Sequence, residues 1–420
     1  MKKSLTLAVL ALSTLGMVSC NQTASSGDSG NSVDSSNTGK KETITLQFVP
    51  SNDAQTVLTR AKKLEPFFEK ICPEYNFDMN VGTSYAVVNT ALANGQIDGG
   101  FLTASGYAQE SIENPDKVEL LLSAARAGYK VQADDFPGLT AEAREKQRQA
   151  MNGTITKSGE KVTDANKADA YVYRGEQSST VVNYYCSVVL TLRDSERTKL
   201  GLTALDSNGD GEVSLDEIHN AKAVWGTMGN SSSSGFIYPT YYLYNNGFTK
   251  GFTSKSNYET LSADNQKLYM INAPQEGYPN MIDNLMTGQI DVAVGFFDIR
   301  YGSAFVQTDG KYHNDETLFT KTYTQAVLDP IMNDTVCVNA NISQAKKDAI
   351  KKVLKAAVDP KQGGDKNDDG KENDVDGDGQ PSPAYLVYQI YSHTGYVDGK
   401  DSDYDAAREM YKWTLKNSGK

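Results

Sequence analysis

The pattern of apolar and polar residues predicts a folded body of strands and helices that begins near residue 44. Apolar residues dominate a first strand at 44–49, which Pro50 ends. The next apolar residues recur at steps of three and four and therefore share one helix face: Val57, Ala61, Leu64, Phe68 and Ile71. Pro66 is expected to kink or restart this helix. A later apolar run at 181–192 predicts a strand leading toward a second lobe.

An internal repeat predicts that the body has two similar halves. Residues 85–98 align without gaps with residues 278–291, and both copies share a tyrosine, a leucine and a Gly-Gln-Ile-Asp string in one register. Each copy predicts a short helix that ends at a glycine and then a buried strand, at 97–102 and 290–297. Helix-then-strand units favour a mostly parallel sheet in each half. The expected fold class is α/β, with two lobes facing a cleft.

Composition and cysteine content exclude several classes of protein. The 420 residues carry a formal net charge of −12 and no basic stripe, which argues against a nucleic-acid-binding protein. Cys72, Cys186 and Cys337 are an odd number of cysteines at wide spacings, which suggests neither a disulfide framework nor a zinc site, so we expect buried free thiols. Residues 127–179 contain a largely polar stretch and are predicted to be a surface insertion.

The N-terminal segment has the features of an export signal. Lys2 and Lys3 precede a short apolar run at 5–18, and small residues lead into Cys20. The end of this segment resembles a bacterial lipobox, which implies cleavage and lipidation of Cys20. An ordinary secretory signal is the alternative. Residues 21–41 are polar and predict a disordered tether, so the expected location is extracytoplasmic and anchored to the membrane by lipid.

A first calcium loop is predicted by the spacing of oxygen-bearing residues. Carboxylate or amide side chains occupy positions 1, 3 and 5, glycine occupies position 6, and an acid that can bind with both oxygens occupies position 12. The predicted ligands, with a backbone carbonyl at position 7 and a water-holding serine at position 9, are Asp206, Asn208, Asp210, Glu212, Ser214 and Glu217. Flanking helices are expected at 195–205 and 215–224.

A second acidic segment predicts another calcium loop. Its candidate ligands are Asp365, Asn367, Asp369, Lys371 through its carbonyl, Asn373 and Asp376. Its twelfth residue is an aspartate, as in dockerin-type loops. An overlapping turn begins at Asp374 but lacks an acid at its own twelfth position. A solvated acidic loop is the alternative. Calcium at one or both loops is expected to stabilise the fold rather than to regulate it.

A serine-rich segment between the predicted lobes has the chemistry to bind an oxyanion. Residues 231–234 are all serine, Gly235 follows, and Pro239 is suited to the first turn of a helix. Free amides at a helix start and serine hydroxyls can hold an anion without a full counter-charge. We therefore expect an anion to be bound by neutral donors. A flexible Ser/Gly loop is the alternative.

The chain resembles the phosphonate-binding proteins of phosphate, phosphite and phosphonate ABC importers. Five stretches carry the resemblance: Phe48–Ser51, Tyr85–Asp98, Phe101–Tyr107, Ser232–Pro239 and Gly395–Asp405. The resemblance implies a type II periplasmic-binding-protein fold with two lobes and a hinge. Lobe 1 is then expected at 42–126 and 325–420, and lobe 2 at 180–324. The two predicted calcium loops interrupt the resemblance as insertions, one at 361–383 in lobe 1 and an EF-hand insertion at 195–224 in lobe 2.

The same resemblance implies a set of ligand-binding residues in the cleft. The serine turn would grip the phosphonate oxygens, Tyr85 and Tyr278 would line the cleft, and Asp298 would lie where aminophosphonate binders place an acidic group. Relatives often have histidine at the position of Tyr278. The complete set is Tyr85, Thr103, Ser105, Tyr107, Ser231, Ser232, Ser233, Ser234, Gly235, Tyr278 and Asp298.

The expected partners are a small phosphorus oxyanion and an ABC permease in the membrane. No catalytic pattern stands out, because His219, His313 and His393 are isolated in the sequence. We therefore expect a solute-binding lipoprotein and not an enzyme. A calcium-dependent extracellular adhesion module and, less favoured, a secreted hydrolase are the alternatives.

Overall fold

The body of the chain begins at the first strand, as the apolar pattern predicts. The computed structural model describes residues 41–50 and 53–417. The predicted signal peptide, Cys20, all but the last residue of the predicted tether, and Ser51 lie outside the described residues. Within the described part of the chain, none of the helices combines the length and apolar character needed to cross a membrane.

The strands of the described residues alternate with helices in the first part of each half. They are β1 (Glu42–Phe48), β2 (Tyr75–Val81), β3 (Gly99–Leu102), β4 (Val118–Tyr129), β5 (Gln177–Val182), β6 (Tyr184–Leu192), β7 (Val224–Thr227), β8 (Gly251–Ser254), β9 (Tyr269–Pro274), β10 (Val292–Phe296), β11 (Thr322–Met332), β12 (Thr335–Asn339) and β13 (Gly395–Asp398).

The helices range from single turns to α1, which continues through Pro66 instead of restarting there. They are α1 (Ala54–Ile71), α2 (Tyr85–Ala93), α3 (Ala104–Glu113), α4 (Ala141–Asn152), α5 (Asp194–Lys199), α6 (Leu215–Asn220), α7 (Tyr238–Asn245), α8 (Lys255–Thr260), α9 (Ala263–Gln266), α10 (Tyr278–Met286), α11 (Thr317–Thr320), α12 (Gln344–Val358), α13 (Pro383–Tyr391) and α14 (Asp405–Asn417). Short π-helical turns occupy Val131–Asp135, Ser233–Ile237 and Tyr301–Phe305.

Two mixed sheets form the two lobes. The first has the order β13-β4-β12-β3-β1-β2, with β5 also paired to β4, and the second has the order β11-β6-β10-β7-β9-β8. Strands β3, β1 and β2 are parallel, as are β10, β7, β9 and β8. The strands on the other side of each sheet are antiparallel. The expected parallel arrangement therefore holds for two of the six strand pairings in the first sheet and three of the five in the second.

The sequence repeat corresponds to a structural repeat. Helices α2 and α10 each end before a glycine with positive φ, Gly95 at 68° and Gly288 at 74°, and the chain then enters β3 or β10. The aspartate of each copy accepts a backbone amide, at 2.9 Å for Asp98 and 2.8 Å for Asp291. This confirms the predicted helix–glycine–strand units and places both tyrosines of the repeat at the start of a helix.

The two sheets are joined by two neighbouring chain crossings. The predicted strand at 181–192 is in fact β5 and β6, which Asn183 separates as the chain passes from the first sheet to the second. Asn333 carries the chain back, and its amide donates to the carbonyl of Asn183 at 3.0 Å. Strand β11 belongs to the second sheet, so the chain returns after Met332, later than the boundary at 324 expected from the sequence.

The segment predicted as a surface insertion is partly buried. Its helix α4 packs on β11 of the second sheet, and the Asn152 side chain both donates to Thr324 O and accepts from Thr324 N at 2.8 Å. Phe136, Met151 and Tyr173 of this segment are also buried. The prediction of a surface insertion was wrong in this respect because a polar side chain here is buried and hydrogen-bonds to the backbone of a strand instead of facing water. Cys72, Cys186 and Cys337 are buried free thiols, as expected.

We predict that the repeated aspartates stabilise the two lobes to different degrees. Asp291 pairs with Arg197, whose side chain is 4% exposed, whereas Asp98 pairs with Lys346, whose side chain is 18% exposed. Asp98→Asn should lower the free energy of unfolding by about 1–3 kcal/mol because a charge-assisted hydrogen bond is lost. Asp291→Asn should cost about 3–5 kcal/mol, because it leaves a buried guanidinium unpaired. Urea denaturation measures both values.

Asp264→Asn is the matched control for this comparison. Asp264 also pairs with a lysine, Lys267, but its side chain is 94% exposed. Its replacement should change the free energy of unfolding by less than about 0.5 kcal/mol. Equal effects of all three substitutions would contradict the structural role of the repeat.

Candidate ligand-binding cleft

A small cavity lies between the two sheets, close to the two chain crossings at Asn183 and Asn333, which we call the hinge. The first lobe contributes Tyr85, Thr103 and Arg126, and the second contributes Tyr185, Ser232, Ser234 and Tyr278 among its lining residues. The space open to the centre of a water molecule is about 40 Å³. One water needs about 10–15 Å³ on that measure, so the cavity has room for only a few water molecules or a small anion. The lobes are thus closed around a site of small-ligand size.

The serine turn is shaped so that its hydroxyls border this cavity. Ser232 caps the π-helical turn, and its Oγ accepts the Gly235 amide at 3.2 Å. A Cβ on Gly235 would lie 2.5 Å from Met228 Cγ and 2.9 Å from the Tyr278 hydroxyl, so glycine permits the tight packing. The Gly235 amide, expected to bind the ligand, therefore donates within the turn.

Two tyrosines from the repeat face the cavity with the serines. The Tyr278 hydroxyl lies 3.1 Å from Ser234 Oγ and 3.4 Å from Ser232 Oγ, and Tyr85 lines the cavity from the other lobe. Burial raises the pKa of both Tyr85 and Tyr278 above the usual value. Both phenols are consequently protonated at neutral pH and can donate hydrogen bonds to an anion.

A charged cluster at the hinge also borders the cavity, and it was not predicted from the sequence. Arg126 of β4 forms an ion pair with Asp334, which lies between β11 and β12, and the guanidinium stacks over the Tyr185 ring at 5.1 Å. The Arg126 Nε is buried and has no hydrogen-bond partner among the described residues. The signal for this cluster in the sequence was a single arginine, Arg126, within the largely apolar stretch 118–129. The cavity thus contains a fixed cation, contrary to the expectation of neutral donors alone.

The charge of this cluster is balanced. Burial alone would raise the pKa of Asp334, but the charge of Arg126 and the hydrogen bond from His393 outweigh burial and lower it. Burial lowers the pKa of His393, whose ring nitrogens lie 3.4 Å from Asp334 and 3.0 Å from the Tyr396 hydroxyl. At neutral pH the cluster therefore holds one cation, one anion and a neutral imidazole.

Two of the predicted ligand residues bind each other instead of lining the cavity. The Ser233 hydroxyl accepts the Ser105 amide at 3.1 Å and donates to the Ser105 hydroxyl at 2.8 Å. Ser105 belongs to α3 of the first lobe and Ser233 to the serine turn of the second. These bonds cross the cleft and join the lobes. Thr103, the cap of α3, does line the cavity.

Three other predicted ligand residues do not line the cavity. Asp298 is fully buried, where Arg300 and the Tyr173 hydroxyl occupy both of its oxygens at 2.6–3.0 Å. The Tyr107 hydroxyl donates to Asp401, and Tyr107 is not among the cavity residues. Ser231 precedes the turn and is not among the cavity residues. Asp298 was misassigned because the sequence does not show that Arg300 neutralises it.

Backbone hydrogen bonds hold two of the carboxylates in the first predicted calcium loop, although its acidic side chains do not form a close cluster of the kind found elsewhere in the described residues. Asp206 accepts the amides of Gly209 and Gly211 at 2.7 and 2.8 Å, and Glu217 accepts amides from both ends of the loop. Hydrogen bonds, foremost from the Ser214 amide, lower the pKa of Glu217 to about 2. The flanking helices α5 and α6 are shorter than predicted, since α5 ends at Lys199.

In the second predicted loop, the acidic residues that lie close together are not those that a register beginning at Asp365 predicts. Asp365 and Asp369 accept amides from their own local turns, at 2.8 Å from Asn367 and 2.9 Å from Lys371. Of the six predicted ligands, Asp376 alone belongs to the acidic cluster that the described residues form, and that cluster also contains two aspartates outside the predicted set.

The chain belongs to the family described as ABC transporter, phosphonate, periplasmic substrate-binding protein. The family profile matches residues 46–404, which include both sheets and the cleft. The protein is therefore a periplasmic-type substrate-binding component of a phosphonate-type ABC importer. Among curated proteins no sequence matches the chain.

Solved structures share the fold with low sequence identity. A binding protein of an ABC phosphonate transporter from Pseudomonas aeruginosa is 11% identical, with a TM-score of 0.53 over 90% of this chain and 88% of that one. PhnD1 from Prochlorococcus marinus, solved with methylphosphonate, is 10% identical, with a TM-score of 0.51 over 89% of this chain and 99% of that one. These similarities confirm the two-lobed type II periplasmic-binding-protein fold.

The hinge cluster predicts how stability depends on pH. In the unfolded state, a histidine binds a proton below about pH 6.5, whereas burial keeps His393 neutral to a lower pH in the folded state. As the pH falls, the unfolded state therefore binds more protons than the folded state does. The free energy of unfolding should therefore decrease between pH 7.5 and 5.5, by at most about 1.4 kcal/mol per pH unit from this residue. His393→Gln should reduce that decrease, as urea denaturation at the two pH values would measure.

His313→Gln is the control, because His313 is exposed. It should leave the pH dependence unchanged. An unchanged pH dependence in His393→Gln would contradict the assignment of His393 as a buried neutral imidazole.

Proposed function

We propose that the cleft binds a phosphonate or a related phosphorus oxyanion, which the protein delivers to an ABC permease. The observation that carries this proposal is the convergence of hydrogen-bond donors from both lobes on one small cavity. The hydroxyls of Tyr85, Thr103, Ser232, Ser234 and Tyr278 border it. Membership of the phosphonate-type family and the methylphosphonate complex of the relative from Prochlorococcus marinus support the choice of ligand.

The guanidinium of Arg126 suits an oxyanion that enters between the lobes. Its Nε is a buried donor without a partner, which is unfavourable unless a ligand accepts the bond. Hydrogen bonds from a charged donor to a phosphonate oxygen are stronger than neutral ones. Asp334 cancels the charge of Arg126, so the binding energy would come from short-range donors more than from a net positive field.

The apolar part of the cavity wall suits a short organic substituent. Val49 and Phe296 line the cavity together with the hydroxyls. A phosphonate could direct its oxygens to the serine turn and its carbon to these side chains. The small volume favours ligands of the size of methylphosphonate or phosphite over larger esters.

Closure of the lobes is expected to accompany binding. The Ser105–Ser233 hydrogen bonds join the lobes beside the cavity, and Trp413 of α14 packs on Tyr241 and Tyr244 of α7 at 4.9 and 5.1 Å. A ligand that contacts both lobes favours the closed state by its differential affinity. The closed form would then dock on the permease.

Substitution of the serines that border the cavity tests the proposed ligand. Ser232→Ala and Ser234→Ala should each weaken methylphosphonate binding by about 1–3 kcal/mol, or roughly fivefold to 150-fold, because a buried anion loses a donor. Isothermal titration calorimetry measures the affinities. Ser231→Ala is the matched control and should bind within about twofold of the unsubstituted protein. Equal affinities for all four proteins would remove the serine turn from the site.

We also propose that the protein is anchored to the membrane by a lipid on Cys20. Small residues lead into Cys20, and a polar tether separates it from the first strand at Glu42. A substrate-binding protein that works with a permease benefits from such an anchor because the tether raises its local concentration at the membrane.

We further propose that the first calcium loop binds Ca²⁺ and stabilises the second lobe. Its oxygen donors have EF-hand spacing, and the Asp206 and Glu217 carboxylates are already held by backbone amides. Tyr323 and Arg148 hold the Glu212 side chain, so the loop is tied to α4 and β11. A cation would therefore fix a segment that packs against the second sheet.

Glu217→Gln tests the first calcium loop. The substitution removes the carboxylate at position 12 and should abolish one equivalent of calcium binding in calorimetry. It should also reduce the calcium-induced rise in melting temperature, because a ligand that binds only the folded state stabilises it. Asp216→Asn changes an exposed neighbour and is the control. The same calcium stoichiometry in Glu217→Gln and the unsubstituted protein would contradict this site.

A further inference from the structure

An acidic cluster lies in the loop that joins α12 to α13. Asp368, Asp374 and Asp376 each place a carboxylate oxygen within 4.8 Å of the other two. No Lys, Arg or His forms an ion pair with any of the three within the described part of the chain. Three like charges at this separation repel one another unless a cation lies between them.

The burial of Asp368 is an independent indication of a ligand. Its residue is 2% exposed, whereas Asp374 and Asp376 are at the surface. One Asp368 oxygen accepts the Gly370 amide at 3.1 Å, and the other has no hydrogen-bond partner among the described residues. An ionised carboxylate is removed from water only when a charge or several donors compensate it. A single neutral amide does not provide that compensation.

The backbone holds Asp368 in its buried position. The Ser382 amide, at the start of α13, donates to the Asp368 carbonyl at 3.0 Å. Gly370 lies so close to the chain at Gln380 that a Cβ there would be 2.3 Å from the Gln380 carbonyl carbon. The turn that carries Asp368 is thus packed against the residues before α13.

The turn that begins at Asp374 repeats the hydrogen bonds of the first calcium loop. In both loops the first residue, Asp206 or Asp374, accepts the amides of the residues three and five places later. In both, the third residue accepts from the fifth and the fifth from the seventh. The loops differ at position 12, where the first has Glu217 and the second has Tyr385. Asp368 brings the missing carboxylate from upstream.

We propose that Asp368, Asp374 and Asp376 bind a divalent cation, with the loop register beginning at Asp374 and not at Asp365. The donors are carboxylate oxygens without histidine or cysteine, which selects a hard cation. Ca²⁺ fits better than Mg²⁺, because it accepts about six to eight oxygens in irregular geometry. Positions 5 and 7 of the loop, the Asp378 carboxylate and the Gln380 carbonyl, are available to complete the coordination.

Calcium titration of the full-length protein tests this site. The titration uses CaCl2 after removal of bound metal with EDTA, in a Glu217→Gln background so that the first loop does not contribute. One equivalent of calcium should bind. Asp368→Asn in that background should weaken binding at least tenfold, and Asp365→Asn, which alters the other register, should leave it within twofold. If the first loop binds no calcium, the comparison of Asp368 with Asp365 is unaffected.

Thermal denaturation separates metal binding from a structural role of Asp368. In EDTA, Asp368→Asn should melt at the same temperature as the parent protein or higher, because an uncompensated buried charge is removed. In calcium, the same variant should melt below its parent. Loss of stability in both conditions, absence of calcium binding by Glu217→Gln, or greater sensitivity to Asp365→Asn than to Asp368→Asn would each overturn the proposal.

Discussion

Burying a polar group without a partner is costly, and this constraint governs the cleft. Elsewhere in the fold several buried charges are paired, as in the Asp298–Arg300 and Asp291–Arg197 ion pairs. Among the described residues that line the cavity, Arg126 alone has a buried side-chain atom without a hydrogen-bond partner. An oxyanion between the lobes would satisfy that donor together with the surrounding hydroxyls. The proposed affinity therefore follows from the same rule that stabilises the rest of the fold.

The position of the cavity at the hinge connects binding to closure. Arg126 and Asp334 flank the two chain crossings, which Asn183 and Asn333 bring within hydrogen-bond distance of each other. A ligand bound there contacts both lobes, and the Ser105–Ser233 hydrogen bonds join the same two lobes beside it. The ion pair also keeps the site electrically balanced, so an acidic protein can bind an anion through short-range donors.

The sequence predicted the fold well because its signals were local. The repeat around Tyr85 and Tyr278 predicted two helix–strand units, and both were found. The serine turn was also identified, but the sequence could not show that Ser233 bonds to Ser105 or that Arg300 neutralises Asp298. Those pairings join residues whose mutual orientation depends on the packing of both sheets. The hinge cluster could not be predicted for the same reason, because it brings together residues that are far apart in the sequence. The packing of Asp368 against Asp374 and Asp376 likewise depends on the folded loop.

The central claim is that a phosphorus oxyanion binds between the lobes at the serine turn. A crystal structure of the protein grown with methylphosphonate tests it most directly. We expect the phosphonate oxygens to lie within hydrogen-bond distance of Ser232, Ser234 and the Arg126 Nε, and the methyl carbon of the ligand to lie toward Val49 or Phe296. A methylphosphonate bound elsewhere, or a cleft that contains none at saturating concentration, would contradict it.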